Sequence, residues 1–293
     1  MTIAFVGLGA MGTPMATNLV KRQYKVVGSD IRPEAVRAFE AAGGTGSQSA
    51  AEAARGADTL IVMTVTGDQA ADVLFAKGAL DALAPNATVI VMATCAPAAV
   101  EAMAQRVEAT GRSFIDAPVS GGVAGATGGT LTIMAAAKAD VFEKSKPILS
   151  ALGSNLFHLG EKPGQGAAMK TVNQLLCGVH IAAAAEGLAF AERAGIDPKV
   201  AHDILTGSAA SSWMLNARGP RMLDYDKVVT SAVDIFVKDL AIVLDTGRAQ
   251  KMGLPLSAAA HQLFLAASGM GLGREDDSQV IETYRALGKK RDA

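Results

Sequence analysis

Three short stretches of the chain carry residues whose types and spacing could together move a proton, grip a carboxylate and hold a pyrophosphate. In GQGAAMKTVNQ, Lys170 precedes Asn173 by three residues and Gln174 by four, which puts all three on one face of a helix. A lysine partly desolvated in a cleft has its pKa drawn toward the working range of a general base. Most of the 27 basic residues are expected to be surface groups with their stems on the core. The glycine-flanked hinge before Lys170 and the two amides on its helical face outweigh that default. In DAPVSGG, residues 116–122, Ser120 with the backbone N–H groups of Gly121 and Gly122 could cradle a carboxylate as a nest. The same glycines, with Gly125, Gly128 and Gly129, equally suit a flexible loop, and spacing alone leaves the two readings level.

The third stretch is IAFVGLGAMGTPMATNL, an apolar run from Ile3 to Val6 that enters glycines at Gly7, Gly9 and Gly12 and then a helix from about Thr13. Such a run suits a central parallel strand buried on both faces. Gly7 permits the tight turn, Gly9 lets backbone approach a pyrophosphate, and Gly12 lets the helix pack closely. With Ala10 and Met11 in the turn, the first N–H groups of the helix point at the phosphates. Eighteen residues past Gly12, after a strand over Lys25–Ser29, stands Asp30, at the position of a ribose-binding carboxylate. Strand, helix and acid are all in place, and the pattern predicts a dinucleotide site. Asp30 repels the extra phosphate of NADP whereas Arg32 attracts it, and the balance favours NAD over NADP. Thr94, after the strand Thr88–Met92, is placed to line the cofactor, as are Val65 and Thr66 after the preceding strand. Lys238-Asp239, in SAVDIFVKDL, could reach the cofactor from a helix, although on pattern alone an exposed charged pair is the better reading.

Other candidates carry less. His180 lies two helical turns beyond Asn173 and could border a substrate pocket, though most such histidines are satisfied core residues. His158, His202 and His261 have no partners at ligand spacing, so no metal site is expected. Trp213 reads as an anchor between helices, and GxSxG is absent. With 50% hydrophobic but only 4% aromatic residues, the core must be built from Ala, Val, Leu and Met. A net charge of −1, with no long run of either sign, argues against a nucleic-acid or membrane partner. Cys95 and Cys177 share no metal-type spacing and read as reduced, buried thiols of a cytoplasmic protein. The apolar start lacks a basic segment before it and reads as a strand rather than a signal peptide. The most membrane-like stretch, Leu175 to Ala191, is interrupted by His180 and Glu186 and reads as a buried helix.

The elements that must position these groups change character along the chain. The first half alternates strand and helix signals, which predicts a mostly parallel sheet covered on both faces. Strands are expected at Lys25–Ser29, Thr59–Val65, Thr88–Met92, Ser113–Ile115, Leu131–Ala135 and Asn155–Leu159. Helices are expected near Pro33 and over Pro97–Thr110, and Ser49 with Glu52 has capping-box spacing. After the Gly/Pro-rich segment Gly160–Gly166 no convincing strand remains. A long helix from Ala167 to about Ala194 is ended by Gly195, Asp197-Pro198 starts the next, and amphipathic segments follow around Ala232–Lys251, Leu256–Ser268 and Gln279–Leu287. The expected domains are therefore 1–162, dinucleotide-binding, and 163–293, all-α, with the substrate at their junction beside the carboxyl ends of the strands.

Four motifs, in order, resemble those of the β-hydroxyacid dehydrogenases, the group that contains 3-hydroxyisobutyrate dehydrogenase and tartronate semialdehyde reductase. They are GLGAMGTPMATNL at 7–19, DAPVSGGVAGATGGTLTIM at 116–134, GQGAAMKTVNQ at 164–174 and KDLAIVLD at 238–245. The resemblance implies an α/β Rossmann-like N-terminal domain followed by an all-α C-terminal one, as in 6-phosphogluconate dehydrogenase. It implies NAD or NADP on the first motif and the substrate carboxylate on Ser120, Gly121 and Gly122. It makes Lys170 the acid/base and Asn173 its substrate-orienting neighbour, with Lys238 and Thr94 beside the nicotinamide. The stretches NQLLCGVHIAAAAEGLAFAERAGI and SSWMLNARGPRMLD are most similar to the L-threonate dehydrogenase branch, which oxidises a four-carbon sugar acid at its C2 hydroxyl. Gln174 stands where the family commonly has a second asparagine, which suggests a substrate with a more hydroxylated tail. Ala135-Ala136-Ala137 replaces a usual glycine pair, and Cys95 follows Thr94 where other residues are usual.

The expected function is hydride transfer from a small hydroxy acid to NAD. The rivals are a 3-hydroxyisobutyrate dehydrogenase, a tartronate semialdehyde reductase, and a dinucleotide-sensing protein without chemistry. An intact Lys170–Asn173 pair argues against the last, since a pure binder needs neither. The resemblance further implies a homodimer or homotetramer.

Overall fold

The computed structural model describes residues 1–287. The chain divides into two compact units, Met1–Lys170 and Thr171–Ala293, of which residues 288–293 lie outside the described residues.

In the first unit, β1 (Thr2–Val6), β2 (Lys25–Ser29), β3 (Thr45–Gly46), β4 (Thr59–Val62), β5 (Thr88–Val91) and β6 (Ser113–Asp116) pair in parallel in the order β3-β2-β1-β4-β5-β6. Beyond them β7 (Val119–Ser120) and β6 both lie antiparallel to β8 (Thr132–Ala136), and β9 (Asn155–Gly160) runs parallel to β8. The strands are apolar because both faces are covered. Ile3 and Phe5 of β1 join Ile61, Ile90 and Ile115 on one side, while Ala4 and Val6 join Leu60, Val62, Val89 and Val91 on the other. The strand order reverses between β1 and β4, the place where doubly wound sheets open a crevice at their carboxyl ends.

Helices α1 (Gly12–Lys21), α2 (Pro33–Ala41), α3 (Ala50–Ala54), α4 (Gly67–Ala71), α5 (Ala79–Ala82), α6 (Pro97–Glu108), α7 (Gly122–Gly128) and α8 (Ala139–Leu152) cover the two faces. Met15 and Leu19 of α1, Phe39 of α2 and Leu149 of α8 pack on the first; Ala53 of α3, Leu80 of α5 and Met103 of α6 pack on the second. Ser49 caps α3 through the N–H of Glu52 at 3.1 Å, but the Glu52 carboxylate accepts the Gln48 N–H and leaves that of Ser49, so only half of the expected box forms. The strand expected over Thr59–Val65 ends at Val62, because Thr66 and Gln69 form a complete capping box at the start of α4.

The second unit is helical. α9 (Gln165–Arg193) begins in the first unit and continues into it, and Gly195 (φ +77°) stands two residues past its end. α10 (Pro198–Thr206) is capped by Asp197 through the Lys199 N–H at 2.8 Å. α11 (Trp213–Leu223), which the sequence reading passed over, is capped by Ser212. α12 (Val233–Ala249), α13 (Pro255–Ala267) and α14 (Ile281–Leu287) complete the unit. Ile181 and Leu188 of α9 share a core with Phe236 and Leu240 of α12 and Phe264 of α13, the two phenylalanine rings lying 5.1 Å apart. Gly178 lets α9 and α12 meet, since a Cβ there would lie 2.8 Å from Leu240.

Two expectations are corrected here. Trp213 is the first residue of α11 and 62% exposed, so most of it is not buried between helices. Cys95 is buried, but Cys177 is only half-buried. α9 is long and apolar enough to cross a membrane by length and composition, yet half of its most apolar window is buried inside the structure, as in core helices.

Candidate active site

The loops at the carboxyl ends of the parallel strands carry most of the residues singled out in the sequence. After β1, Gly7 turns the chain at φ +101° and donates its N–H to Ser29 at 2.9 Å. A Cβ at Gly7 would lie 2.2 Å from the Met63 carbonyl oxygen, so the loops after β1 and β4 touch where the sheet order reverses. A Cβ at Gly12 would lie 1.8 Å from the Gly7 oxygen, which fixes how closely α1 follows the turn. Gly9 is different: a Cβ there would have only the Arg32 guanidinium nearby, at 3.6 Å. Packing does not require that glycine, whereas a ligand resting on its backbone would. Ala10 is exposed and Met11 half-buried, and α1 begins with neither a side-chain cap nor an acidic residue in its first turn. Its first N–H groups suit an anion. The turn therefore fits a dinucleotide pyrophosphate.

Asp30 follows β2. Its side chain is 8% exposed, and Oδ2 accepts the Leu8 N–H at 2.7 Å. Oδ1 accepts the Arg32 N–H at 2.9 Å and Nε at 3.2 Å. The acid thus ties down the glycine turn and holds Arg32 beside it. After β4, Val65 is 52% exposed. The Thr66 hydroxyl accepts the Gln69 N–H at 3.1 Å, and Gln69 Oε1 accepts the N–H groups of Val65 and Thr66. What this loop offers a ligand is the Val65 side chain rather than free backbone donors. Thr94, partly exposed, follows β5.

Ser120 ends β7, paired with Thr132 of β8, and Gly122 opens α7. Gly121 (φ +132°) and Gly122 (φ +61°) are consecutive left-handed residues, and nothing stands within 4 Å of a Cβ placed on Gly122. The segment is a strand-to-helix turn rather than an unstructured loop. Its successive N–H groups and open face suit a carboxylate.

Lys170 lies near the start of α9 and is 7% exposed. That start is fixed to the end of β6. The buried Asp116 carboxylate accepts the N–H groups of Gly164 at 3.0 Å and Ala167 at 2.9 Å through one oxygen. Burial pushes the Asp116 carboxyl up to about 6, while the N–H groups of Ala167, Gly164 and Gly166 oppose the rise. Sequence alone gives Asp116 no role beyond opening the DAPVSGG motif; its place at the end of β6, just before the serine–glycine turn, is the signal that points to it.

Asn173 and Gln174 follow on α9, in the second unit, and Lys238 lies on α12. Asp239, 2% exposed, joins two of them: Gln174 Nε2 donates to Oδ2, and Lys238 Nζ lies 2.7 Å from Oδ1. The reading of Lys238-Asp239 as an exposed pair is corrected, because α12 turns Asp239 into the core beside Leu240. His180 is half-buried on α9; His158 stacks on Phe142 with ring centroids 4.3 Å apart and bonds the Ala137 carbonyl. Among the described residues no group of side chains has the composition of a metal site.

Residues 2–160 match the family model of the NAD-binding domain of 6-phosphogluconate dehydrogenase. Residues 164–284 match that described as NAD-binding of NADP-dependent 3-hydroxyisobutyrate dehydrogenase. The chain is 44% identical over 286 residues to an L-threonate dehydrogenase of Cupriavidus necator, covering 97% of this chain and 96% of the relative. It is 39% identical to the L-threonate dehydrogenase of Escherichia coli K12, with 97% and 95% covered. Among solved structures, one described as 3-hydroxyisobutyrate dehydrogenase from Salmonella typhimurium superposes with a TM-score of 0.91 at 38% identity, covering 97% of this chain and 99% of that one.

Proposed function

The chain belongs to the β-hydroxyacid dehydrogenase family, and from that membership we propose that it oxidises L-threonate, or a close four-carbon sugar acid, at the C2 hydroxyl with NAD. It is an oxidoreductase of small hydroxy acids with an NAD(P)-binding domain. The observation that carries the reading is Lys170: an ammonium group buried near the start of a helix that is pinned to the strand end leading into Ser120–Gly122.

The residues divide the work as follows. Gly7, Gly9, Ala10, Met11 and Gly12 receive the pyrophosphate, Asp30 takes the adenosine ribose hydroxyls, and Val65, Thr66 and Thr94 line the cofactor. Bound NAD supplies the acceptor for the hydride that leaves C2. Ser120, Gly121 and Gly122 hold the substrate carboxylate, which fixes the reacting carbon; positioning of this kind is the large catalytic contribution. Lys170, deprotonated, removes the hydroxyl proton as the carbonyl forms, and in reverse it returns that proton. The family pattern gives Asn173 the role of orienting the substrate and Lys238 that of a cofactor neighbour, while Gln174, where this chain departs from that pattern, meets the substrate's tail. The domains are set at 1–162 for the cofactor and 163–293 for the substrate and for self-association as a homodimer or homotetramer; the two family matches support that division.

NAD is preferred over NADP because Asp30, a carboxylate at the ribose-binding position with its side chain 8% exposed, opposes an added 2′-phosphate. The description of the second family match, NADP-dependent, and the exposed Arg32 favour the opposite choice. A 3-hydroxyisobutyrate dehydrogenase is the second reading, favoured by the Salmonella structure. One panel separates them: initial rates with L-threonate, D-threonate, L-erythronate, 3-hydroxyisobutyrate, glycerate and L-serine, each with NAD and with NADP. The highest kcat/KM is expected for L-threonate with NAD. A higher value for 3-hydroxyisobutyrate, or for NADP, would replace the corresponding part of the reading.

A further inference from the structure

Glycine at 164 leaves α9 without a side chain of its own to cap its first turn. The position needs glycine, because its φ is +94° and a Cβ there would lie 2.8 Å from the Glu101 carboxylate. A capping box satisfies two donors, the N–H of the N-cap residue and that of the third helical residue. Here those donors are Gly164 and Ala167, and one remote carboxylate oxygen, Oδ2 of Asp116, takes both. The Gly166 N–H between them also reaches the same carboxylate. The helix start is pressed against the sheet at that point: a Cβ on Gly166 would lie 2.5 Å from the Met134 backbone carbonyl oxygen and 2.8 Å from that of Asp116. Lys170 is about one helical turn beyond Ala167, and Ser120, at the end of β7, is four residues beyond Asp116, at the end of β6.

We propose that Asp116 is a positioning residue for the proton transfer: by capping α9 from the end of β6, it locks the Lys170 side chain to the frame that carries the Ser120–Gly122 turn. It touches neither substrate nor cofactor. Its carboxylate is an acceptor only, which matches the converging N–H groups; asparagine can keep one oxygen on Gly164 and Ala167 but loses the charge that strengthens both bonds and puts an NH2 in place of the second oxygen. The helix start then shifts, and shifts on the order of 1 Å in a reacting group cost about 10²-fold in rate.

The proposal rests on the reading of Lys170 as the acid/base, and the experiment keeps the two apart. Turnover is measured for the wild type, Asp116→Asn, Lys170→Ala and the double variant, with the hydroxy acid that the panel ranks first. Asp116→Asn is expected to lower kcat about 10- to 100-fold, while the KM for the hydroxy acid and the NAD dissociation constant change less than about threefold. In the Lys170→Ala background the same substitution is expected to lower kcat no further, because the position of an absent amine does not matter. Asp116→Ala is expected to fall below Asp116→Asn; if it does not fold, the asparagine variant alone decides. Wild-type kcat in Asp116→Asn overturns the proposal. So does an equal loss with and without the Lys170 amine, the signature of a purely structural role. Wild-type turnover in Lys170→Ala overturns the underlying reading, and the proposal falls with it.

Discussion

The backbone N–H of Leu8 donates to Oδ2 of Asp30 at 2.7 Å, tying the glycine turn after β1 to the end of β2. With Oδ1 holding Arg32, the acid is a strut for the turn as well as a candidate ribose ligand. Hydrogen bonds to a charged group contribute roughly 1.5–3 kcal/mol. Asp30→Ala is therefore expected to lower stability by about that amount in urea titrations without cofactor, and Asp30→Asn, which retains an acceptor oxygen, by less. Equal stability of all three proteins would mean that the strut carries no load.

Gly9 and Gly12 make opposite demands. A methyl at Gly12 collides with the Gly7 carbonyl, whereas one at Gly9 meets only the flexible Arg32. Gly12→Ala is expected to cost about 1–3 kcal/mol of stability, as overpacking does, and to weaken NAD as a consequence. Gly9→Ala is expected to leave the unfolding midpoint in place and still lower NAD affinity at least tenfold. Calorimetry with and without NAD distinguishes the two patterns.

This asymmetry also shows what the residue order could reveal. Glycine spacing, a strand before it and an acid after it are local and point to the dinucleotide turn, while the alternation of strand and helix signals and its end after Gly166 point to the sheet and the helical second half. The partners of the site are not local. Asp116 reaches Gly164 across 48 residues, and Gln174 reaches Asp239 across 65. No periodicity encodes such pairs, so Asp116 stayed hidden inside a motif and Lys238-Asp239 read as a surface pair. The strand expected to reach Val65 stops at Val62 for a local reason, the capping box that Thr66 and Gln69 form at the start of α4.

Gln174 donates to the buried Asp239, whose other oxygen faces Lys238. Gln174→Ala removes a donor from a carboxylate 2% exposed, and a loss of about 1–3 kcal/mol is expected. Glutamate at the same position, which sets two carboxylates against each other, is expected to be worse. Denaturant titration of both variants checks the order.

Burial pushes Asp116 and Asp277 up to about 6 from 3.8, Asp277 despite its Arg218 partner. Between those values the folded protein holds more protons than the unfolded chain, so stability falls as pH rises. The contribution of each is fully present below pH 3.8 and is lost as pH passes 6. For Asp116, two units amount to at most about 3 kcal/mol. The stability of the wild type relative to Asp116→Asn is thus expected to be greatest near pH 4 and to decline toward pH 7. A difference that grows with pH would reverse the sign and contradict the burial argument.

The most direct test of the proton-transfer role is turnover by Lys170→Ala under saturating L-threonate and NAD, with the NAD dissociation constant measured on the same preparation. Removing a positioned acid/base costs about 10²–10⁴-fold, so kcat is expected to fall by that factor while cofactor affinity stays near the wild-type value. A variant that binds NAD normally and turns over at the wild-type rate would contradict the account.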